Sequence, residues 1–221
     1  MTKSESTTTP PDSRAPLASA DLTRPQAADA GAGPLSGREL VVCVCGGIAA
    51  YKTAAAVSGL AQLGAGVTVA MTRNARRFIA PLTFQALTGR RVHTSSWREP
   101  TGDIQHLELT RRADLALVAP ATANILAKLA GGLADDLVSS MLLGAACPVA
   151  LAPAMNSRMW THPATQRNVD FLRAAGYAFV GPEEGWQACR EVGAGRMSEP
   201  QTLVAFVSEL LRAARRGSAS G

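Results

Sequence analysis

The sequence predicts an α/β domain in which a parallel sheet lies between two layers of helices, and three observations carry that expectation. Runs of β-branched and apolar residues recur along the chain and alternate with segments of helical spacing. Those runs are apolar without a break, as in strands buried on both faces, instead of alternating as in a half-exposed sheet. The chain has 221 residues, 47% hydrophobic and 18% charged, which suits one domain with a sizeable core.

Residues 1–37 are rich in Ser, Thr, Pro, Ala and Gly and nearly free of large apolar side chains. Such a segment cannot bury enough surface to offset its ordering entropy, so a flexible tail is expected before a domain at 38–216. ELVVCVC (39–45) predicts the first strand, and AAYKTAAAVSGLAQLG (49–64) a helix ending at glycine. VTVAMT (67–72) predicts the second strand, followed by a helical stretch around 75–89. LALVAP (115–120) is a strand, and TANILAKLAGG and DDLVSSMLLGAA are helical. PVALAPA (148–154) is a strand, 161–175 a helix and AFVG (178–181) a short last strand. An amphipathic helix covers 200–215, and residues 217–221, GSASG, are expected to be disordered. No internal repeat is present.

The net charge of +5 and a pI near 9.4 raise the possibility of a nucleic-acid partner. The basic residues are scattered as pairs, without an aromatic-interleaved stripe, and argue for a solvated surface instead. Four cysteines at irregular spacing make no disulfide framework. Cys43 and Cys45 lie at i, i+2 of a strand with no histidine nearby, which fits small core residues and no metal site. No run is apolar enough to span a membrane, and the N-terminus lacks the succession of a signal peptide, so a cytoplasmic location is expected.

In parallel sheets ligands bind outside the carboxyl ends of the strands, which directs attention to CGGIAAYK, MTRNARRF, APATAN and APAMN. Gly46-Gly47-Ile48 lets the backbone approach a ligand before a helix N-terminus. It is not GxGxxG; it suits a single phosphate, or equally a tight turn with no ligand. Thr122, Asn124 and Thr72 offer short polar groups at two further strand ends, and each also fits a helix cap. His106 comes after a Gly-Asp loop and is either a surface residue or a general base at the sheet edge. GWQACREVGAGRM (185–197) is expected to be a structureless loop, either an ordinary one or a mobile flap carrying Cys189.

GGIAAYK, the His106 segment, PATANILAKLAGGLADDL, PAMNSRMW and ACREVGAGRM, in this order, resemble the homo-oligomeric, FMN-containing cysteine decarboxylases. The resemblance runs from about 38 to 200. That family includes phosphopantothenoylcysteine decarboxylase of coenzyme A synthesis, and peptidyl-cysteine decarboxylases that build aminovinyl-cysteine rings. It implies a single-domain, flavodoxin-like Rossmann three-layer sandwich, assembled as a trimer or a dodecamer built of trimers, with FMN between subunits. Gly47, Ile48, Ala49, Thr72, Ala121, Thr122, Ala123 and Asn124 match positions that hold FMN. His106 matches the base, Asn156 the asparagine that binds the substrate carboxylate, with Met155 beside it, and Cys189 the thiol of the substrate-clamping loop. Arg190 and Arg196 are expected at the substrate. Oxidising the substrate thiol to a thioaldehyde creates the electron sink that decarboxylation needs, leaving an enethiolate.

The branch is read from the flap. Cys189 and GAGRM match the coenzyme A branch, whose members read ACGD where this chain reads ACRE at 188–191. An arginine beside the thiol and the absence of a following ligase domain lead to the expectation of a peptide substrate ending in cysteine. Phosphopantothenoylcysteine is the alternative. A phosphatase-inhibiting regulatory subunit and a prenylated-flavin synthase are the readings from other classes. The former is opposed by His106, Asn156 and Cys189 all being present.

Overall fold

The computed structural model describes residues 33–95 and 105–218, the side chains of 105–108 and 214–218 excepted. Five parallel strands form one sheet in the order β2-β1-β3-β4-β5, with β1 Glu39–Val44, β2 Gly66–Met71, β3 Leu115–Ala121, β4 Val149–Pro153 and β5 Ala178–Phe179. This order is the flavodoxin-like one, with its switch point between β1 and β3. The strands of the sheet centre are buried along almost their full length, as their unbroken apolar sequences require.

Alternate residues of β1 divide the core. Leu40, Val42 and Val44 face α1 (Ala50–Gln62) and α8 (Pro200–Ser218), meeting Val57, Leu60, Leu203 and Val207. Val41, Cys43 and Cys45 face the other layer, meeting Ile125 and Leu126 of α4 (Ala123–Ala130) and Val169 and Leu172 of α7 (Pro163–Ala174). α3 (Gln105–Arg112) and α5 (Leu137–Leu143) belong to that second layer, α3 packing on α5. In α1 the buried positions Ala50, Thr53, Ala56, Val57 and Leu60 recur at helical spacing, and three of the five are no larger than threonine, so α1 sits close to the sheet. Among the described residues no helix is long and apolar enough to cross a membrane.

Several expectations need revision. The helical stretch at 75–89 is a 3-10 turn at Ala75–Arg77 and a separate helix α2, Pro81–Thr88. Pro81 starts that helix, where its missing N–H costs nothing, and Gly89 ends it in the left-handed region at φ 63°. The helix at 161–175 is α7, preceded by a single turn, α6 (Ser157–Trp160), which Asn156 caps. The loop at 185–197 is an antiparallel hairpin, β6 Glu183–Trp186 with β7 Val192–Arg196. The tail expected at 1–37 lies outside the described residues up to 32, but Gly33–Gly37 form a turn that buries Leu35 and ties its N–H to the Leu63 carbonyl at 2.9 Å. At the other end α8 runs on through Ser218, past the expected boundary at 216; residues 219–221 lie outside the described residues.

Candidate active site

The carboxyl ends of β1, β2, β3 and β4 surround a cleft of about 1140 Å³, ample for a mononucleotide and a substrate by the ~300–1,000 Å³ of ordinary ligand pockets. Its floor is the turn from β1 into α1. No side chain caps α1 and no acid lies in its first turn; the N–H groups of Ala50 and Lys52 turn back to the carbonyls of Gly47 and Ala49, both at 3.0 Å, so an anion would meet the other amides of this 13-residue helix's start. Gly46 is fixed by close approach: a Cβ there would lie 2.5 Å from Cβ of Asn74. Gly47 is under less constraint, since a Cβ would meet Pro120 and Thr122 at an ordinary 3.5 Å.

Two threonines at neighbouring strand ends act as caps. Thr72 Oγ1 accepts from Ala75 N at 3.2 Å, and Thr122 Oγ1 accepts from Ile125 N at 3.4 Å at the start of α4. Capping uses only a lone pair, so each hydroxyl hydrogen stays available to an acceptor in the cleft. A helix start without a side-chain cap, a glycine turn that admits no Cβ at Gly46 and two hydroxyl donors suit the phosphate and polar edge of FMN. Gly47, Ile48, Ala49, Thr72, Thr122, Ala123 and Asn124 all line the cleft. Ala121 does not: it is wholly buried in β3, where its carbonyl accepts from Ala154 N at 3.1 Å.

The opposite end of the cleft is built where β4 meets the hairpin. Asn156 Oδ1 accepts from Arg158 N at 2.9 Å, capping α6 and fixing the amide's orientation. Its Nδ2 donates to Cys189 Sγ at 3.1 Å and to Glu191 Oε2 at 3.4 Å. Met155 lies beside it, and its N–H donates to the Gly195 carbonyl of β7 at 2.9 Å. Gly195 has φ 124°, and a Cβ there would lie 2.4 Å from the Met155 carbonyl, so only glycine permits this approach. Met155, Asn156, Cys189 and Arg196 line the cleft, whereas Arg190 is exposed at the turn and does not. His106 lies in the first turn of α3; its side chain lies outside the described residues.

Three participants had no signal in the sequence. Gln187 is buried in a polar hairpin: its Nε2 donates to the carbonyls of Gly193 and Ala194, and its Oε1 accepts from Ser157 N at 3.1 Å. Lys52 occupies a helical position that reads as solvated, yet it is buried and donates to the Met197 carbonyl at 3.2 Å and to Glu199 at 3.0 Å. Glu199 also accepts from Arg196 at 2.8 Å, so one carboxylate ties α1 to the strand that carries the hairpin. The Lys52 hydrogen bond holds the Glu199 carboxyl below its usual range.

A protein-family model described as Flavoprotein matches residues 31–212. The coenzyme A biosynthesis bifunctional protein CoaBC of Bacillus subtilis is 49% identical over 171 residues, 77% of this chain and 42% of that protein. Its namesake from Escherichia coli K12 is 46% identical over 172 residues, again 77% of this chain and 42% of that protein. The chain thus spans less than half the length of these relatives. Among solved structures, the FMN-dependent cysteine decarboxylase SpaF is 34% identical, with a TM-score of 0.72 over 82% of this chain and 99% of that one. A cysteine-to-serine variant of PPC decarboxylase in complex with pantothenoylaminoethenethiol has the same TM-score at 28% identity, over 79% and 98%. This chain belongs to the Flavoprotein family, in the branch of FMN-containing cysteine decarboxylases.

Proposed function

We propose that this chain decarboxylates phosphopantothenoylcysteine with FMN as cofactor, the reaction that serves coenzyme A synthesis. The observation that carries the reading is the hydrogen bond from the Asn156 amide to the Cys189 thiol at the mouth of the cleft. A carboxylate-binding amide and a proton-bearing thiol then act on one substrate carbon unit. The two CoaBC proteins, named for coenzyme A biosynthesis, also favour it over a peptide substrate. The expectation of a peptide rested in part on the bulk and charge of Arg190, and Arg190 is not part of the cleft lining.

When bound, FMN supplies two-electron redox chemistry at the substrate thiol. The α1 turn, Thr72 and the Thr122–Asn124 segment hold it. Asn156 Nδ2 orients the carboxylate that leaves; being neutral, it does not stabilise that group's charge as a cation would. His106 takes the proton of the substrate thiol. Cys189 Sγ would give the proton that the enethiol takes up together with the hydride the cofactor had accepted, so that CO2 alone is lost, and the hairpin would cover this step. Ile48 and Tyr51, 59% and 64% exposed at the cleft, suit coverage by a second copy of the chain, and a homo-oligomer is part of this proposal.

The test offers the purified yellow protein phosphopantothenoylcysteine and a peptide ending in cysteine, with mass spectrometry of both. Loss of CO2 alone from the first supports the proposal. Loss of CO2 plus two hydrogens from the peptide, with the first compound untouched, would restore the peptide reading.

A further inference from the structure

We infer that Glu191 stands in for the substrate carboxylate: without substrate it occupies the Asn156 amide and latches the hairpin, and the incoming carboxylate displaces it. The inference rests on the role proposed above for Asn156. The Asn156 carbonyl is committed to the α6 cap, which leaves the side chain two N–H donors facing the hairpin. Both donations go to hairpin residues, to Cys189 Sγ and to Glu191 Oε2. Sulfur is a weak acceptor and the carboxylate a strong one, so the Glu191 contact is the one a substrate must replace. The Cys189 thiol faces the same oxygen at 3.9 Å and Gln187 Oε1 at 3.5 Å, so carboxylate, thiol and amide form one linked set.

Two carboxylates do not share one neutral amide without repulsion, so binding exchanges one for the other. That exchange selects the substrate by its carboxylate, because a thiol without one has nothing with which to displace Glu191. After CO2 departs, the product lacks the group that held Glu191 away. The latch then returns to Asn156 and product leaves. The Glu191 side chain is exposed, so its replacement leaves the core untouched.

Glu191→Ala, prepared as flavin-loaded protein, is compared with the unaltered protein in two measurements. KM for phosphopantothenoylcysteine is expected to fall about threefold, since the substrate no longer competes with a partly exposed hydrogen bond to a charged group. Amide hydrogen exchange at the hairpin tip, without substrate, is expected to quicken about threefold as the latch is lost. A KM that is unchanged or higher overturns the inference, because Glu191 would then only brace the hairpin. Unchanged exchange also overturns it. If the unaltered protein fails to turn over phosphopantothenoylcysteine, the proposed function falls, while hydrogen exchange still judges the latch.

Discussion

Two regions bring a cysteine to the same cleft, and their surroundings are opposite. Cys45 follows directly on β1 and is buried, which raises its thiol well above its ordinary range and keeps it protonated. Cys189 sits on the hairpin among amide and carboxylate groups, exposed to solvent. The first region is held by packing and by close backbone approach. The second is held by hydrogen bonds that a ligand can exchange. A thiol meant to move a proton has to stand in the second kind of surroundings, because a thiol buried in an apolar strand has no path for one.

The sharpest way to break this contrast is at Asn156, where strand and hairpin meet. Aspartate caps a helix as well as asparagine does, so Asn156→Asp keeps α6. In the role proposed for Asn156 this sets a like charge against the substrate carboxylate, and turnover of phosphopantothenoylcysteine should fall about 10²–10³-fold. The visible flavin spectrum should persist, since the α1 turn is unchanged. Full turnover in this variant would remove Asn156 from the carboxylate role.

On the β1 side, Gly46→Ala forces a Cβ against Asn74 at 2.5 Å. A cost of about 1–3 kcal/mol in chemical denaturation is expected, as for other overpacked sites, with weaker retention of FMN on gel filtration. The strand thiols set an alkaline limit. Burial pushes Cys43 up to about 12 from an ordinary value of 9.0, with Cys147 and Asp136 adding to the effect. Between those values the unfolded chain has released a proton that the folded chain retains. Stability is therefore complete below pH 9.0 and is lost as pH rises towards 12, by about 1.4 kcal/mol per pH unit from this group. Urea midpoints measured from neutral pH upward should show the decline, and Cys43→Ala should make it shallower. A parallel decline in that variant would exclude Cys43 as its source.

The sheet was legible because five apolar runs and their helices can be read directly from periodicity, and sheets of this kind place ligands at their carboxyl edge. Strand ends such as Thr72, Thr122 and Asn156 were legible for the same reason. The hairpin was not: EEGW and VGAGR contain no apolar run, and the pairing depends on Gln187 and on the Arg196–Glu183 contact at 3.5 Å, which are visible only in three dimensions. Lys52 was hidden for a related reason, since a lysine at a helical position reads as solvent-facing until its partners from the chain's far end are known. Residue types reveal what a position can do; whether Arg190 enters a cleft depends on the path of the turn.

That turn supplies the smallest effect and a direct probe of the hairpin. Gln187 N–H donates to the Glu191 carbonyl and Arg190 N–H to the Gln187 carbonyl, both at 2.9 Å, which closes a tight turn with Arg190 at φ 65°. An L-residue in that region crowds its own Cβ, at a cost of roughly 1–2 kcal/mol that glycine avoids. Among the described residues Arg190 is the single non-glycine with positive φ. Arg190→Gly should therefore slow amide exchange at the hairpin tip and stabilise it by about 1 kcal/mol, less a few tenths for glycine's greater freedom in the unfolded chain. Because Arg190 is not part of the cleft lining, KM for phosphopantothenoylcysteine should change by less than about twofold. A large fall in KM would mean that the arginine obstructs the site after all, and the case against a peptide substrate would lose its structural support.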